Sequence, residues 1–311
     1  MDKKYSGVIV PMVTPFTKQE QIDAVSVRNI VNHLVGHQAH PFILGTTGES
    51  VSVSKAERIT LVRTTVESCE SKRTVYAGIS GSCFSEVVLE AQVFADLGVD
   101  VLVATMPSYY PVDEEQMLRY FNQLADQVKL PLVIYNIPAT THLSIPLEVV
   151  DKLSHHENIV GFKDSEKGVD RVHEAINRWK DRPDFSYLLG WALMSKDAML
   201  AGADGIVPST GNFTPGLYHS IYTAGKSGDE RTAKIAQDKA DIISLLYQKD
   251  QILSRSLALL KVLMSAYQLC DPTVLPPLLT ANADQVKALT NQVLATFGDL
   301  KTINRLENYE Q

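Results

Sequence analysis

Cysteine is scarce in this chain: Cys69, Cys83 and Cys270 are the only three, far apart and odd in number. They form no CxxC pair, which argues against a disulfide framework or a thiolate zinc site and for a reducing compartment. An excess of positive charge is also missing. The 29 lysines and arginines are interspersed with 36 aspartates and glutamates, for a net charge of −7, so no basic surface marks nucleic acid or an anionic membrane as a partner. Nowhere do about 18 consecutive apolar residues occur, as a membrane span requires. The opening MDKKYSGVIVPMVTPF carries charges but no apolar stretch followed by a small-residue cleavage site. Together these absences predict a cytoplasmic protein with neither membrane nor nucleic-acid partners.

What is present is an ordinary globular balance, 45% hydrophobic and 21% charged over 311 residues, which fits either two domains or one α/β barrel with an extension. Eight short apolar runs stand out: Gly7–Val13, Phe42–Gly45, Thr74–Ile79, Val101–Thr105, Leu132–Tyr135, Ile159–Phe162, Tyr187–Leu189 and Gly205–Val207. Strands buried on both faces read as continuous apolar runs, and amphipathic stretches separate these. Ser54-x-x-Glu57 has the spacing of a capping box, Ser85 is placed to cap a helix that Gly98 ends, and Asp113–Val128 begins with acids that suit the helix dipole. The alternation predicts an α/β fold, a (β/α)8 TIM barrel in preference to an open doubly wound sheet. From about residue 228 the pattern is helical throughout, broken at Asp271–Pro277. The predicted organisation is a catalytic barrel over 1–227 and a C-terminal helical extension over 228–311.

Catalytic groups of such barrels come from the C-terminal ends of strands, and three of these ends carry chemistry. The sixth run ends on Lys163-Asp164-Ser165. A lysine leaving an apolar strand is partly desolvated, which frees the amine to attack a ketone and form an imine that serves as an electron sink. Taken alone, it reads first as a loop lysine whose charge reaches water. The fifth run ends on Tyr135-Asn136-Ile137-Pro138; a tyrosine there can relay a proton, or simply fill space at the barrel end. The second ends in Gly45-Thr46-Thr47-Gly48-Glu49-Ser50, where glycines, backbone N–H groups and hydroxyls make a small anion cradle suited to carboxylate. The phosphate-loop pattern is absent.

GTTGES at 45–50, YNIP at 135–138 and GFKDS at 161–165, in that order and spacing, resemble the dihydrodipicolinate synthase/N-acetylneuraminate lyase family of Schiff-base class I aldolases. The resemblance runs from about Gly7 to Thr214 and extends to the helical tail. It implies a lyase in which Lys163 forms a Schiff base with a 2-keto acid, pyruvate, while an aldehyde is the second partner. It also implies Tyr135 as general acid/base, and Thr46 and Thr47 holding the carboxylate with Thr47 bridging toward the tyrosine. Tyr110 is then a tyrosine donated across a dimer interface, and Gly48, Gly190, Ile206 and Ser209 line the substrate. Neither metal nor organic cofactor is implied, and the assembly implied is a homotetramer, a dimer of dimers.

Departures bear on the substrate. Where the synthases of this family carry an arginine for the aldehyde's carboxylate, the chain has Thr140, which cannot make that charged bidentate contact. Where the neuraminate lyases place an Asp-Glu pair after strand seven, and sugar-acid aldolases usually have acids too, Gly190 is followed by Trp191-Ala192-Leu193. Trp191 reads as a stacking surface for a sugar face or an apolar tail, or as packing under its loop. Ser209–Phe213 and Tyr135–Ala139 look closer to the sugar-acid aldolases. The expectation is cleavage of a 2-keto-3-deoxy acid to pyruvate and an aldehyde. Dihydrodipicolinate synthesis, neuraminate cleavage and a non-catalytic keto-acid-binding protein are the alternatives. A metal-dependent aldolase would need histidines and carboxylates gathered at strand ends, whereas His37, His40, His155 and His156 fall in helix ends and loops.

Overall fold

The computed structural model describes residues 3–306, so 1–2 and 307–311 of the two-part division lie outside the described residues. Eight parallel strands close into a barrel: β1 (Gly7–Pro11), β2 (His40–Ile43), β3 (Tyr76–Gly78), β4 (Val101–Thr105), β5 (Leu132–Asn136), β6 (Ile159–Asp164), β7 (Ser186–Leu189) and β8 (Gly205–Ile206). Each pairs with its sequence neighbour, and β8 returns to β1 through Gly7↔Gly205 and Val8↔Ile206. All eight predicted strands form. The first and third are shorter than their apolar runs, and β6 continues through Lys163 and Asp164, so the lysine stands on the strand itself.

Alternation along the strands builds two apolar layers. Ile9, Phe42, Tyr76, Val101, Val103, Val133, Tyr135, Leu188 and Val207 pack together in one cluster. Val8, Val10, Ile43, Ala77, Leu102, Ile134, Phe162, Leu189 and Ile206 pack in the other, with the helices. Both faces of each strand are therefore covered, which is the physical reason the runs are continuous.

Two cap expectations need correcting. Ser54 does accept from the Glu57 N–H at 3.3 Å, but the Glu57 carboxylate takes the Ile22 N–H at 2.5 Å instead of returning to the cap. Cys83, not Ser85, occupies the N-cap of the helix Phe84–Asp96, and no side chain caps it. Gly98 follows that helix with φ of +91°, as its C-terminal signal predicts. Asp113 and Gln116 form a reciprocal capping box on Glu114–Gln127. Beyond the eighth barrel helix, Pro215–Ser227, come Glu230–Gln248, Leu253–Ala266, Ala283–Phe297 and Leu300–Ile303. The helical break runs from 267 to 282, longer than the segment expected, because the chain there crosses back to the mouth of the barrel.

Two part-buried imidazoles make acid sensitivity an expected property. Burial, reinforced by His37, lowers His33 to about 4, and burial with Arg73 lowers His40 to about 4. The Thr74 N–H also donates to His40 Nδ1 at 3.1 Å, which only an unprotonated nitrogen accepts. The unfolded chain takes up these protons near pH 6.5 and the folded one does not. Stability should thus be full above 6.5 and fall between pH 6.5 and 4, by up to about 3 kcal/mol per histidine. Urea midpoints at pH 7.5 and 5 provide the check; equal midpoints would contradict it.

Candidate active site

The β5–β6 register brings two of the candidate catalytic side chains together. Tyr135 and Lys163 are Cα partners across the ladder. The Lys163 amine lies 3.6 Å from the centre of the Tyr135 ring and 4.8 Å from that of Phe42. Both Lys163 and Tyr135 are 5% exposed. Burial holds the Lys163 amine below the ordinary lysine range, against the pull of Tyr135 toward the charged form. The sequence-level alternative, a charge reaching water from a loop, does not describe this lysine.

The threonine loop faces them from β2. Leu44 and Glu49, neither a glycine, both have φ of +55°, a left-handed conformation that costs free energy and bends the backbone back on itself. Within the loop the Gly48 and Ser50 N–H groups donate to the Gly45 carbonyl. Thr46 Oγ1 reaches the Tyr135 hydroxyl at 3.5 Å, the outer limit of a hydrogen bond. The resemblance assigns that bridge to Thr47; here Thr46 makes it, and Thr47 is half-buried beside it. Gly48 is pressed under β1: a side-chain carbon there would lie 2.9 Å from the Met12 carbonyl oxygen, and Thr14 Oγ1 donates to the Gly48 carbonyl at 2.6 Å.

Behind the pair lies a polar network that the sequence reading missed. Asn136 Nδ2 donates to Asp164 Oδ1 at 2.8 Å and to Glu166 Oε2 at 2.9 Å, and Asn136 Oδ1 accepts from the Ile145 N–H. Arg171 Nε donates to Asp164 Oδ2 at 2.7 Å. Burial pushes the Asp164 carboxyl upward, opposed by Arg171 and Asn136. Asn136 and Asp164 are the residues immediately after Tyr135 and Lys163, so the network pins both strand ends. The only sequence signal was the pair of polar residues that close two apolar runs.

A cleft of about 210 Å3 opens above. It is lined by hydroxyls, among them Thr46, Ser80, Thr105, Ser108, Tyr135 and Thr140, and by apolar groups such as Phe42 and Met106; none of its lining side chains is Asp, Glu, Lys, Arg or His. Thr140 therefore reaches the site. Other expected residues do not. Ile206 packs in the outer layer, and the strand-eight residue of the inner cluster is Val207, one position on. Ser209 is engaged with Tyr247 at 2.9 Å. Gly190 lies just beyond β7 and donates to the Asp164 carbonyl. Tyr110 is 71% exposed, its ring 5.0 Å from that of Tyr109 and outside the cleft lining of its own chain. Trp191 packs against the outer core, which favours the packing reading.

Residues 4–296 match the profile of the dihydrodipicolinate synthetase family, and the chain belongs to that family and is a lyase. It is 30% identical to a 4-hydroxy-tetrahydrodipicolinate synthase of Alkalilimnicola ehrlichii over 95% of this chain and 100% of that one. It is 32% identical to the probable 2-dehydro-3-deoxy-D-pentonate aldolase YjhH of Escherichia coli K12, over 91% and 94%. Among solved structures, E. coli YagE in complex with pyruvate superposes with a TM-score of 0.88 at 27% identity, covering 96% of this chain and 99% of that one. The expected fold class, a TIM barrel with a C-terminal helical extension, and the expected family are both borne out.

Proposed function

We propose that the chain is a pyruvate-dependent class I aldolase that cleaves a 2-keto-3-deoxy acid to pyruvate and an aldehyde. The observation that carries this reading is the buried Lys163 amine against the Tyr135 ring, with Thr46 beside the Tyr135 hydroxyl. The neutral amine adds to the keto carbon and water leaves, giving an iminium linked to Lys163. A base removes the C4 hydroxyl proton, the C3–C4 bond breaks, and its electrons pass into the iminium to form an enamine as the aldehyde departs. Protonation at C3 and hydrolysis then release pyruvate and restore the amine. Tyr135 moves the protons, and Thr46 and Thr47 hold the carboxylate. No metal or organic cofactor enters this scheme. Tyr110, exposed in one chain, is suited to completing a neighbour's proton path in a dimer of dimers.

The cleft supports a neutral, hydroxylated aldehyde over one that bears a carboxylate. Without an arginine at Thr140, a charged acceptor forgoes a contact worth about 1.5–3 kcal/mol, a ten- to hundredfold loss of specificity. The test compares kcat/KM for 2-keto-3-deoxygluconate, N-acetylneuraminate and a less hydroxylated keto acid with that for pyruvate plus aspartate semialdehyde, in wild type and Thr140→Arg. The sugar-derived keto acid should lead in wild type, and the arginine should raise use of the semialdehyde at least tenfold. A wide lead for aspartate semialdehyde in wild type overturns the aldolase reading in favour of the synthase.

A further inference from the structure

The GTTGES loop ends in a charge that the scheme above does not use. Glu49 has a side chain 1% exposed and a left-handed backbone, and it follows directly on Thr46, Thr47 and Gly48. Its carboxylate is held by residues from the C-terminal part of the chain. Oε1 lies 2.5 Å from Lys261 Nζ, a charge contact without the alignment of a hydrogen bond, and Oε2 accepts the Leu275 N–H at 2.8 Å. Lys261, also 1% exposed, sits on the helix Leu253–Ala266, donates to the Thr273 carbonyl at 2.7 Å and lies 4.3 Å over the Phe16 ring. Nearby, Ser52 Oγ donates to the Pro276 carbonyl at 2.8 Å.

A buried ion pair is weak evidence for stability, because desolvation of both charges cancels much of their attraction; its best-attested use is to fix one arrangement among several. The arrangement in question here is a strained one. Left-handed non-glycine residues persist only where their surroundings over-determine them, and Glu49 is over-determined by one cation and one N–H, both from the C-terminal helical segment. Thr14 Oγ1 ties the Gly48 carbonyl to the segment after β1, and the Met12 carbonyl leaves no room there for a side chain. The two restraints leave the threonines one position relative to Tyr135, where Thr46 just reaches the hydroxyl.

We propose that Glu49 and Lys261 are a positioning pair through which the C-terminal helical segment holds Thr46 and Thr47 in register with Tyr135 and Lys163. This rests on the proposed role of those threonines as the keto-acid hook. Without the tether the loop relaxes from its left-handed turn, the threonines withdraw, and the keto acid binds weakly although the amine is intact.

The readout is trapping of the pyruvate imine on Lys163 by borohydride, measured against pyruvate concentration in the full-length protein. Glu49→Gln alone leaves Lys261 buried and uncompensated and can fail to fold, so the deciding variant is Glu49→Gln/Lys261→Met, which removes both charges together. The half-saturating pyruvate concentration should rise at least tenfold in this variant, with the saturating trapping rate within about threefold of wild type. Lys261→Arg, which keeps the charge, should stay within about threefold on both measures. Thr46→Val and Thr47→Val, run in parallel, should raise half-saturation. If the threonine variants shift and the charge-free variant traps pyruvate like wild type, or loses only saturating rate, the tether is overturned. If the threonine variants do not shift, the hook itself fails and takes the proposal with it.

Discussion

Lys163→Arg is expected to abolish turnover and imine trapping together, a loss of at least about 10³-fold in kcat, or about 4 kcal/mol of barrier. An imine forms only from a neutral amine, and a guanidinium stays charged at any pH the protein survives. In the wild type, borohydride with pyruvate should inactivate the enzyme and add one reduced adduct, found by mass spectrometry on the peptide that contains Lys163. Unmodified Lys163 in fully inactivated protein would end the Schiff-base reading. The pH profile carries the same signature. Because burial lowers the Lys163 amine, the neutral fraction rises with pH through a midpoint below the ordinary lysine value. The ascending limb of kcat/KM should therefore lie below 10.5 and vanish in the arginine variant.

Gly78→Ala is the second large effect. Gly78 closes β3 directly against the turn that begins the threonine loop. A methyl built there would sit 2.8 Å from the Leu44 carbonyl carbon and closer still to its oxygen. Leu44 is itself held left-handed, so the backbone cannot yield without carrying Thr46 and Thr47 with it. Overpacking of this kind costs about 1–3 kcal/mol of stability, and a displacement near 1 Å at a catalytic group costs about 10²-fold in rate. The expected result is a kcat/KM about a hundredfold down with a modest fall in melting temperature. Gly36→Ala, where an added carbon meets nothing within 4 Å, is the control. Full activity in Gly78→Ala would show that the loop position does not govern the chemistry.

The fold was legible because closure of the barrel buries both faces of every strand, which leaves eight apolar runs that periodicity alone can find. Lys163 and Tyr135 could be picked out for a related reason: each is a chemically capable side chain at the end of an apolar run. What stayed hidden depends on backbone geometry or on distant partners. Which threonine meets Tyr135 is decided by two left-handed residues, Leu44 and Glu49, that ordinary side-chain identities do not announce. The choice between Ile206 and Val207 is a one-residue register on a strand of two, and such a slip reverses the face. Arg171 reaches Asp164 from the following helix, and Lys261 reaches Glu49 from a helix much later in the chain. Neither contact leaves a local pattern to read.

The walls of the cleft have a consequence for how such a protein changes over time. The outer hydroxyls come from separate strand ends and connections, with Ser80 after β3, Thr105 closing β4, Ser108 beyond it and Thr140 after β5, whereas the amine stands on β6. On the proposed mechanism, mutation at one of these positions would alter what the incoming aldehyde meets while the Lys163 amine keeps its place on β6. A lineage can thus exchange one acceptor for another through single substitutions, each tested by selection with the imine chemistry inherited whole. That separability is a physical route by which one barrel architecture comes to carry relatives named as synthases and as sugar-acid aldolases.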